Sequence, residues 1–148
     1  MNREILFRGK RVDNGEWTEG YFFKSWDKVF LLWGVTGDCP NMEEVVPETI
    51  GQFTGVYDKN GNQIFEGDIV KVTYTEQRQY LGVSYQDEHS CEEEVIYNEK
   101  SACFMLKIMC ENIPIYRPLH NFGSLANIKE LEVIGNIYDN PELLEVEQ

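Results

Sequence analysis

Apolar and polar side chains alternate with a period of two along much of the chain, and glycines separate segments rich in β-branched and aromatic residues. Residues 17–24 and 103–109 show this pattern most clearly. Since alternate side chains of a strand face opposite sides of a sheet, the pattern predicts a mainly β protein. The apolar run at residues 29–35 is far shorter than the roughly 20 residues of a membrane-spanning helix, and we interpret it as a buried strand.

The first predicted hairpin turns at Asn14–Gly15. An Asn-Gly pair accepts the positive φ angles of a type I′ turn more readily than most dipeptides do. The turn is predicted to join a strand at residues 5–12 to a second strand at residues 17–24.

Residues 51–74 carry the densest set of turn signals. Asn60–Gly61 is predicted to join strands at residues 51–57 and 63–66, and Gly67 then bends the chain into a strand at residues 69–74. Alternation along this last strand puts three side chains on one face, which we expect to be the core face. They are Val70, Val72 and Tyr74.

Between residues 75 and 94 the composition becomes polar and strongly acidic. This predicts a solvated loop or an exposed hairpin tip around His89, with a cation or partner site as the alternative. Carboxylates at such density resist burial, so we expect the acidic triplet here to face solvent. It consists of Glu92, Glu93 and Glu94.

The tail is predicted to contain a short helix at residues 124–128 and a strand at residues 131–138 with a bulge at Gly135. A short C-terminal helix follows, with Asn140 as its N-cap and Pro141 at its first position. Three apolar residues of this helix are available to dock on the body of the protein. They are Leu143, Leu144 and Val146.

The composition and net charge of the chain limit the classes of function that it could have. The 148 residues are 42% apolar and 13% aromatic, which suits one folded domain spanning residues 1–148. The net charge of −13 repels phosphate groups, so we expect neither nucleic acid nor an anionic membrane as a partner. The first residues lack a signal-peptide pattern, which predicts a cytoplasmic protein with reduced thiols. The thiols belong to Cys39, Cys91, Cys103 and Cys110.

Three blocks of sequence stand out: ILFRGK at residues 5–10, the turn-rich stretch at residues 52–70 that ends in IFEGDIV, and VIGNIYDNPELL at residues 133–144. Together they resemble the YopX family of phage and prophage proteins. The resemblance implies a mainly β protein of phage origin in a bacterial host, with an N-terminal β segment at about residues 1–48 and an SH3-like barrel at about residues 49–148. It implies no activity and carries over no functional residue.

Glu66 and Asp68, on either side of Gly67, form a weak candidate site. Two carboxylates at a turn could share a divalent cation or act as acid and base, as in a small metal-dependent hydrolase or a nucleic-acid-processing enzyme. The alternative interpretation is structural, because an aspartate at a turn accepts backbone hydrogen bonds. We favour the structural interpretation and predict no catalytic, cofactor-binding or metal-binding residue.

The sequence does not point to a zinc site, a nucleophilic cysteine or a surface of exposed tryptophan rings. The histidines and cysteines lack the C-x-x-C and H-x-x-x-H spacings of zinc sites, and nothing singles out a Cys–His nucleophile pair. SH3-like modules bind peptides or nucleic acid through exposed rings, but we place the tryptophans in the core. They are Trp17, Trp26 and Trp33.

The sequence therefore favours a non-enzymatic protein-interaction module that binds an unknown host or phage protein without a cofactor. The alternatives are an enzyme using Glu66 and Asp68 and, third, an SH3-like nucleic-acid-binding module. A further hypothesis is that the acidic surface binds a basic host protein, with carboxylates where phosphates would otherwise lie. Because strand edges need covering, we also expect a homo-oligomer.

Overall fold

The computed structural model describes residues 2–119 and 127–145. These residues form eleven strands and two single-turn 3-10 helices, arranged as antiparallel sheets, which confirms the predicted mainly β class. The chain divides after Val56 into two compact units, and each is described separately below. No helix among the described residues is long and apolar enough to cross a membrane.

The first unit is an antiparallel sheet with the strand order β4-β3-β2-β1-β5. A 3-10 helix at Pro47–Thr49 connects the last two strands of the unit. The strands are β1 (Phe7–Lys10), β2 (Trp17–Ser25), β3 (Lys28–Thr36), β4 (Cys39–Val45) and β5 (Gly51–Tyr57), of which the last residue belongs to the second unit.

The pairing of β1 with β2 confirms the first predicted hairpin, but the predicted type I′ turn is wrong. Lys10 pairs with Trp17, so residues 11–16 connect the strands instead of a two-residue turn. Gly15 has a φ of 71°, whereas Asn14 keeps a negative φ. The side chain of Asn14 instead accepts a hydrogen bond of 3.0 Å from the backbone N–H of Glu16.

The core of the first unit lies on one face of this sheet. Leu31 is fully buried there. Gly20 lies so close to β3 that a Cβ atom would come within 2.4 Å of the carbonyl oxygen of Leu32. This close approach explains why a glycine occupies the position. The remaining core residues are Val29 and Val45, with Phe7 and Ile50 packed against them.

Two of the three tryptophans are not in the core, so that prediction is wrong for them. Trp26 lies between β2 and β3 and is 93% exposed, and Trp33 is 54% exposed. Val35 is also exposed, so residues 29–35 form a strand that is buried only in its first half. The reason is that β3 extends beyond the part of the sheet that the core covers, which the apolar run itself does not reveal.

The second unit has its own antiparallel sheet with the strand order β10-β9-β8-β7-β11, and the described strand pairs leave this sheet open. A second 3-10 helix, Pro141–Leu144, follows the last strand. The strands of this unit are β6 (Gln63–Phe65), β7 (Asp68–Tyr80), β8 (Val83–Asn98), β9 (Cys103–Cys110), β10 (Ile113–Pro118) and β11 (Asn127–Asn136).

The predicted core face of β7 is confirmed. Val70, Val72 and Tyr74 are each at most 1% exposed. Ile69, on the opposite face, is buried as well, because both faces of the sheet are covered where β7 begins. Gly67 precedes this strand with a φ of 85°, the left-handed conformation that the predicted bend requires.

The acidic stretch at residues 75–94 is strand, not loop. It forms the outer part of a long hairpin in which β7 and β8 pair from Ile69 opposite Glu94 to Tyr80 opposite Val83. The turn lies at Leu81–Gly82, where both residues have positive φ. Polar side chains suit this extension because both of its faces are exposed, so the hairpin alternative is correct.

The tail follows the prediction only in part. Residues 124–126 lie outside the described residues, while 127 and 128 belong to β11, so the predicted helix is wrong for them. The pairing of β11 shifts register between Val133 and Gly135, which confirms the predicted bulge. The C-terminal helix is a 3-10 turn that Asn140 precedes without a side-chain cap. Val146 lies outside the described residues.

Candidate functional site

Asp68 is the first residue of β7 and directly follows the turn at Glu66 and Gly67. Its side chain is 1% exposed, and Oδ2 accepts a hydrogen bond of 2.8 Å from the backbone N–H of Phe65. Glu66 is half-buried nearby. The hydrogen bond is the one that the structural interpretation predicted, while the catalytic use of Glu66 and Asp68 stays a prediction.

Metal-ligand side chains do not converge in the part of the chain that the structure describes. No group of three or more His, Cys, Asp or Glu residues there could hold a metal ion. All four cysteines are free thiols, as the sequence predicted.

A buried cluster of hydrogen-bond donors surrounds the carboxylate of Glu93, on β8. Its Oε1 atom accepts hydrogen bonds from the hydroxyl of Tyr74 at 2.6 Å, from the thiol of Cys91 at 3.1 Å and from Nη2 of Arg117 at 2.5 Å. Glu93 is fully buried, so the expectation that the whole acidic triplet faces solvent is wrong. Three donors, one of which is the Arg117 cation, offset the cost of burying this charge.

Arg117 and His89 also contact the aromatic ring of Tyr74. The guanidinium carbon of Arg117 lies 4.3 Å from the ring centroid, and the ring of His89 stacks on Tyr74 with the centroids 5.3 Å apart. His89 is directly opposite Tyr74 in the pairing of β7 with β8. The cluster therefore joins β7, β8 and β10.

Two groups of the cluster, the Cys91 thiol and the Tyr74 hydroxyl, hold their protons tightly. Burial, followed by the hydrogen bond to Glu93, raises the pKa of the Cys91 thiol to about 12. The same two causes raise the pKa of the Tyr74 hydroxyl. A thiol nucleophile needs a lowered pKa, so this arrangement stabilises the fold instead of activating Cys91.

The exposed face of the first sheet is unusual in its composition. Tyr21 on β2 lies opposite Leu32 on β3, and Leu32 lies opposite Met42 on β4. Phe23 lies opposite Phe30, with the ring centroids 6.3 Å apart. We call these five residues the aromatic face.

Solvent reaches much of the aromatic face. Tyr21 is 61%, Phe23 47% and Met42 51% exposed. The solvated face of an antiparallel sheet is normally polar, and here the other face already provides the core. Trp26, in the turn of the same hairpin, is also exposed. The sequence signal was the Tyr-Phe-Phe run, whose exposure depends on which face the core covers.

Charged residues flank the aromatic face. Lys28 and Glu44, on the same side of the sheet, form an ion pair of 3.1 Å. Arg8 and Lys10 lie over the ring of Trp17. The guanidinium carbon of Arg8 is 4.8 Å and Nζ of Lys10 is 5.4 Å from the ring centroid. The aromatic face is therefore an apolar patch with a polar rim, which is the composition of protein-binding surfaces.

Comparison with known proteins identifies the family. A family model described as YopX protein matches residues 7–145, nearly the whole chain. The chain belongs to the YopX family. The resemblance inferred from the three sequence blocks is thereby confirmed. No curated protein matches this YopX-family chain.

One similar solved structure is the crystal structure of protein EF1440 from Enterococcus faecalis. It is 24% identical to this YopX-family chain, and the alignment covers 97% of this chain and 100% of that chain with a TM-score of 0.49.

Proposed function

We propose that this YopX-family chain is a non-enzymatic interaction module that binds a host or phage protein through the aromatic face. The observation that carries the proposal is the exposure of Tyr21, Phe23 and Met42 on a sheet whose core lies on the opposite side. Contiguous exposed apolar surface with a charged rim favours protein binding.

The aromatic face has the physical properties of a binding surface. Aromatic residues and methionine are enriched where proteins meet, and a few large side chains usually supply most of the binding energy. Paired strands hold Phe23 and Phe30 in place, so little side-chain entropy is lost on binding. Trp26 protrudes from the hairpin and would act as an anchor in a pocket of the partner.

The chemistry of the other candidate residues supports a role without catalysis. The carboxylate of Asp68 accepts a hydrogen bond from the backbone N–H of Phe65, and Cys91 and Tyr74 keep their protons at neutral pH. We further propose that the protein is encoded by a phage or prophage and acts without a cofactor in the bacterial cytoplasm, in line with its family resemblance.

The proposal is tested by affinity capture from a lysate of the bacterial host. The tagged wild-type chain is compared with the double variant Phe23→Thr/Met42→Thr, because threonine keeps the preference for strand while removing the apolar surface. We expect the wild-type chain to retain a discrete protein that mass spectrometry identifies. The double variant should lose it while melting at the same temperature.

The matched control is Tyr80→Thr/Tyr85→Thr, which removes two exposed rings from the β7–β8 hairpin. It should retain the partner as the wild type does. Equal retention by the wild-type chain and the Phe23→Thr/Met42→Thr variant would refute a role of the aromatic face.

A further inference from the structure

A groove lies within the second unit, beside the 3-10 helix Pro141–Leu144 and strands β8 and β9. It has a volume of about 590 Å³, which is within the range of ligand-binding recesses. We call it the C-terminal groove. Residues that line it include Glu92, Glu94, Lys107, Met109, Leu144 and Glu145.

The C-terminal groove combines apolar surface with an excess of negative charge, since three glutamates and one lysine line it. Lys107 donates a hydrogen bond of 3.0 Å to Glu94, so these two charges neutralise each other. Glu92 and Glu145 are exposed, and Lys71 lies opposite Glu92 in the pairing of β7 with β8. Met109 is 43% exposed and adds apolar surface beside these carboxylates.

The charge of the second unit selects the chemistry of an occupant. Residues 57–148 contain 17 acidic and 7 basic side chains, which gives a formal charge of −10. Residues 146–148 of the chain itself would bring one more carboxylate, Glu147, into an acidic groove. A nucleic acid or a second copy of this acidic chain would be repelled, whereas a cationic segment would be attracted.

We propose that the C-terminal groove docks a short basic segment of another protein. Lysine or arginine side chains of that segment pair with Glu92 and Glu145, while its aliphatic side chains contact Met109 and Leu144. The groove lies in a different unit from the aromatic face, so this inference stands whether or not the aromatic face binds a partner. It gives the hypothesis of a basic partner a specific place in the fold.

The test uses a fluorescein-labelled octapeptide of alternating leucine and lysine, titrated with the full chain while fluorescence anisotropy is recorded. We expect saturable binding by the wild type. The variant Glu92→Gln/Glu145→Gln should bind at least about tenfold more weakly, because it loses two charge-assisted contacts. Met109→Gln should also weaken binding, since it makes the groove more polar.

The matched control is Glu99→Gln/Glu111→Gln, which removes two exposed carboxylates that do not line the groove. Both double variants have the same net charge, so long-range attraction alone would weaken binding equally. The control should change the dissociation constant by less than about twofold, because screened charges act weakly at a distance. A leucine–glutamine octapeptide should bind the wild type less tightly than the leucine–lysine one.

Several results would overturn the proposal. They are the absence of saturable binding, equal weakening by the two double variants, or equal binding of the uncharged peptide. Peptide binding lost only in Phe23→Thr/Met42→Thr would move the site to the aromatic face. Self-association in light scattering that Glu92→Gln/Glu145→Gln abolishes would make a second copy the occupant. None of these results affects partner capture through the aromatic face, so the two proposals fail separately.

Discussion

Tyr74 and Glu93 lie on neighbouring strands of the second sheet, and the Tyr74 hydroxyl donates a hydrogen bond of 2.6 Å to Oε1 of Glu93. Both side chains are buried, and Arg117 on β10 contacts both of them. One carboxylate therefore fixes the relative positions of three strands. Because each group depends on the others, removing one leaves a buried polar atom without its partner.

Replacing Tyr74 by phenylalanine should reduce the free energy of unfolding by about 1–3 kcal/mol, because the buried Glu93 carboxylate loses a donor. Glu93→Gln should cost more, about 3 kcal/mol, since Arg117 then loses its counter-charge. Urea denaturation measures both values. The control Tyr97→Phe removes the hydroxyl of a tyrosine that is 43% exposed and should leave stability nearly unchanged. Equal effects of Tyr74→Phe and Tyr97→Phe would contradict the role of the cluster.

Cys91 should react slowly with iodoacetamide in the native protein. Its thiol pKa of about 12 leaves little thiolate at about pH 8, and the thiolate is the reactive form. Cys39 and Cys110 are exposed and should be labelled first, which peptide mass spectrometry at successive times would show. If Cys91 is labelled as fast as Cys39 without denaturant, the buried and proton-bound state of its thiol is wrong.

Asp58 should make stability depend on pH in the acidic range. Burial acts to raise the pKa of its carboxyl, but hydrogen bonds from Val133, Asn62 and Asn60 outweigh burial and lower it. The folded pKa therefore lies below the unfolded value of about 3.9. The stabilisation is complete above that value and is lost as the pH falls through the lowered pKa.

The test compares Asp58→Asn with the wild type. The amide should cost about 1–3 kcal/mol at neutral pH, because it places a donor beside the N–H groups that the carboxylate accepts. The difference between the two proteins should shrink as the pH drops below about 4, which denaturation at a series of pH values measures. A difference that grows with acidity would contradict the lowered pKa.

Gly20→Ala should destabilise the first unit by about 1–3 kcal/mol, as overpacking does, because the new Cβ would meet the backbone oxygen of Leu32 on β3. Backbone in a paired strand cannot move aside as a flexible side chain can. The control Glu19→Ala changes the neighbouring exposed position and should have little effect on thermal unfolding. A Gly20→Ala variant as stable as Glu19→Ala would refute the close approach.

Much of the fold could be predicted because its signals are local. The bend at Gly67 and the alternation of Val70, Val72 and Tyr74 each depend on a few adjacent residues. The bulge at Gly135 has the same origin. Turn chemistry and strand periodicity act over such short distances, so the sequence displays them directly.

The candidate sites were harder to predict because they depend on residues that are distant in sequence. Glu93 is buried because Tyr74 and Arg117 supply donors from other strands. One signal was available in the sequence. Cys91, Glu93 and Val95 are alternate residues of β8 and therefore share one face of the strand, while the residues between them form the more polar face. The exposure of Trp26 depends on how far the core extends under the sheet, which periodicity cannot show.

We expect the aromatic face to contact another protein in the cell. A photo-crosslinking phenylalanine analogue placed at Phe23 tests this directly, with the same analogue at Tyr85 as the control. On irradiation of living bacteria, we expect a discrete higher-mass adduct from position 23 and none from position 85. No adduct at position 23, or the same adducts at both positions, would contradict the claim.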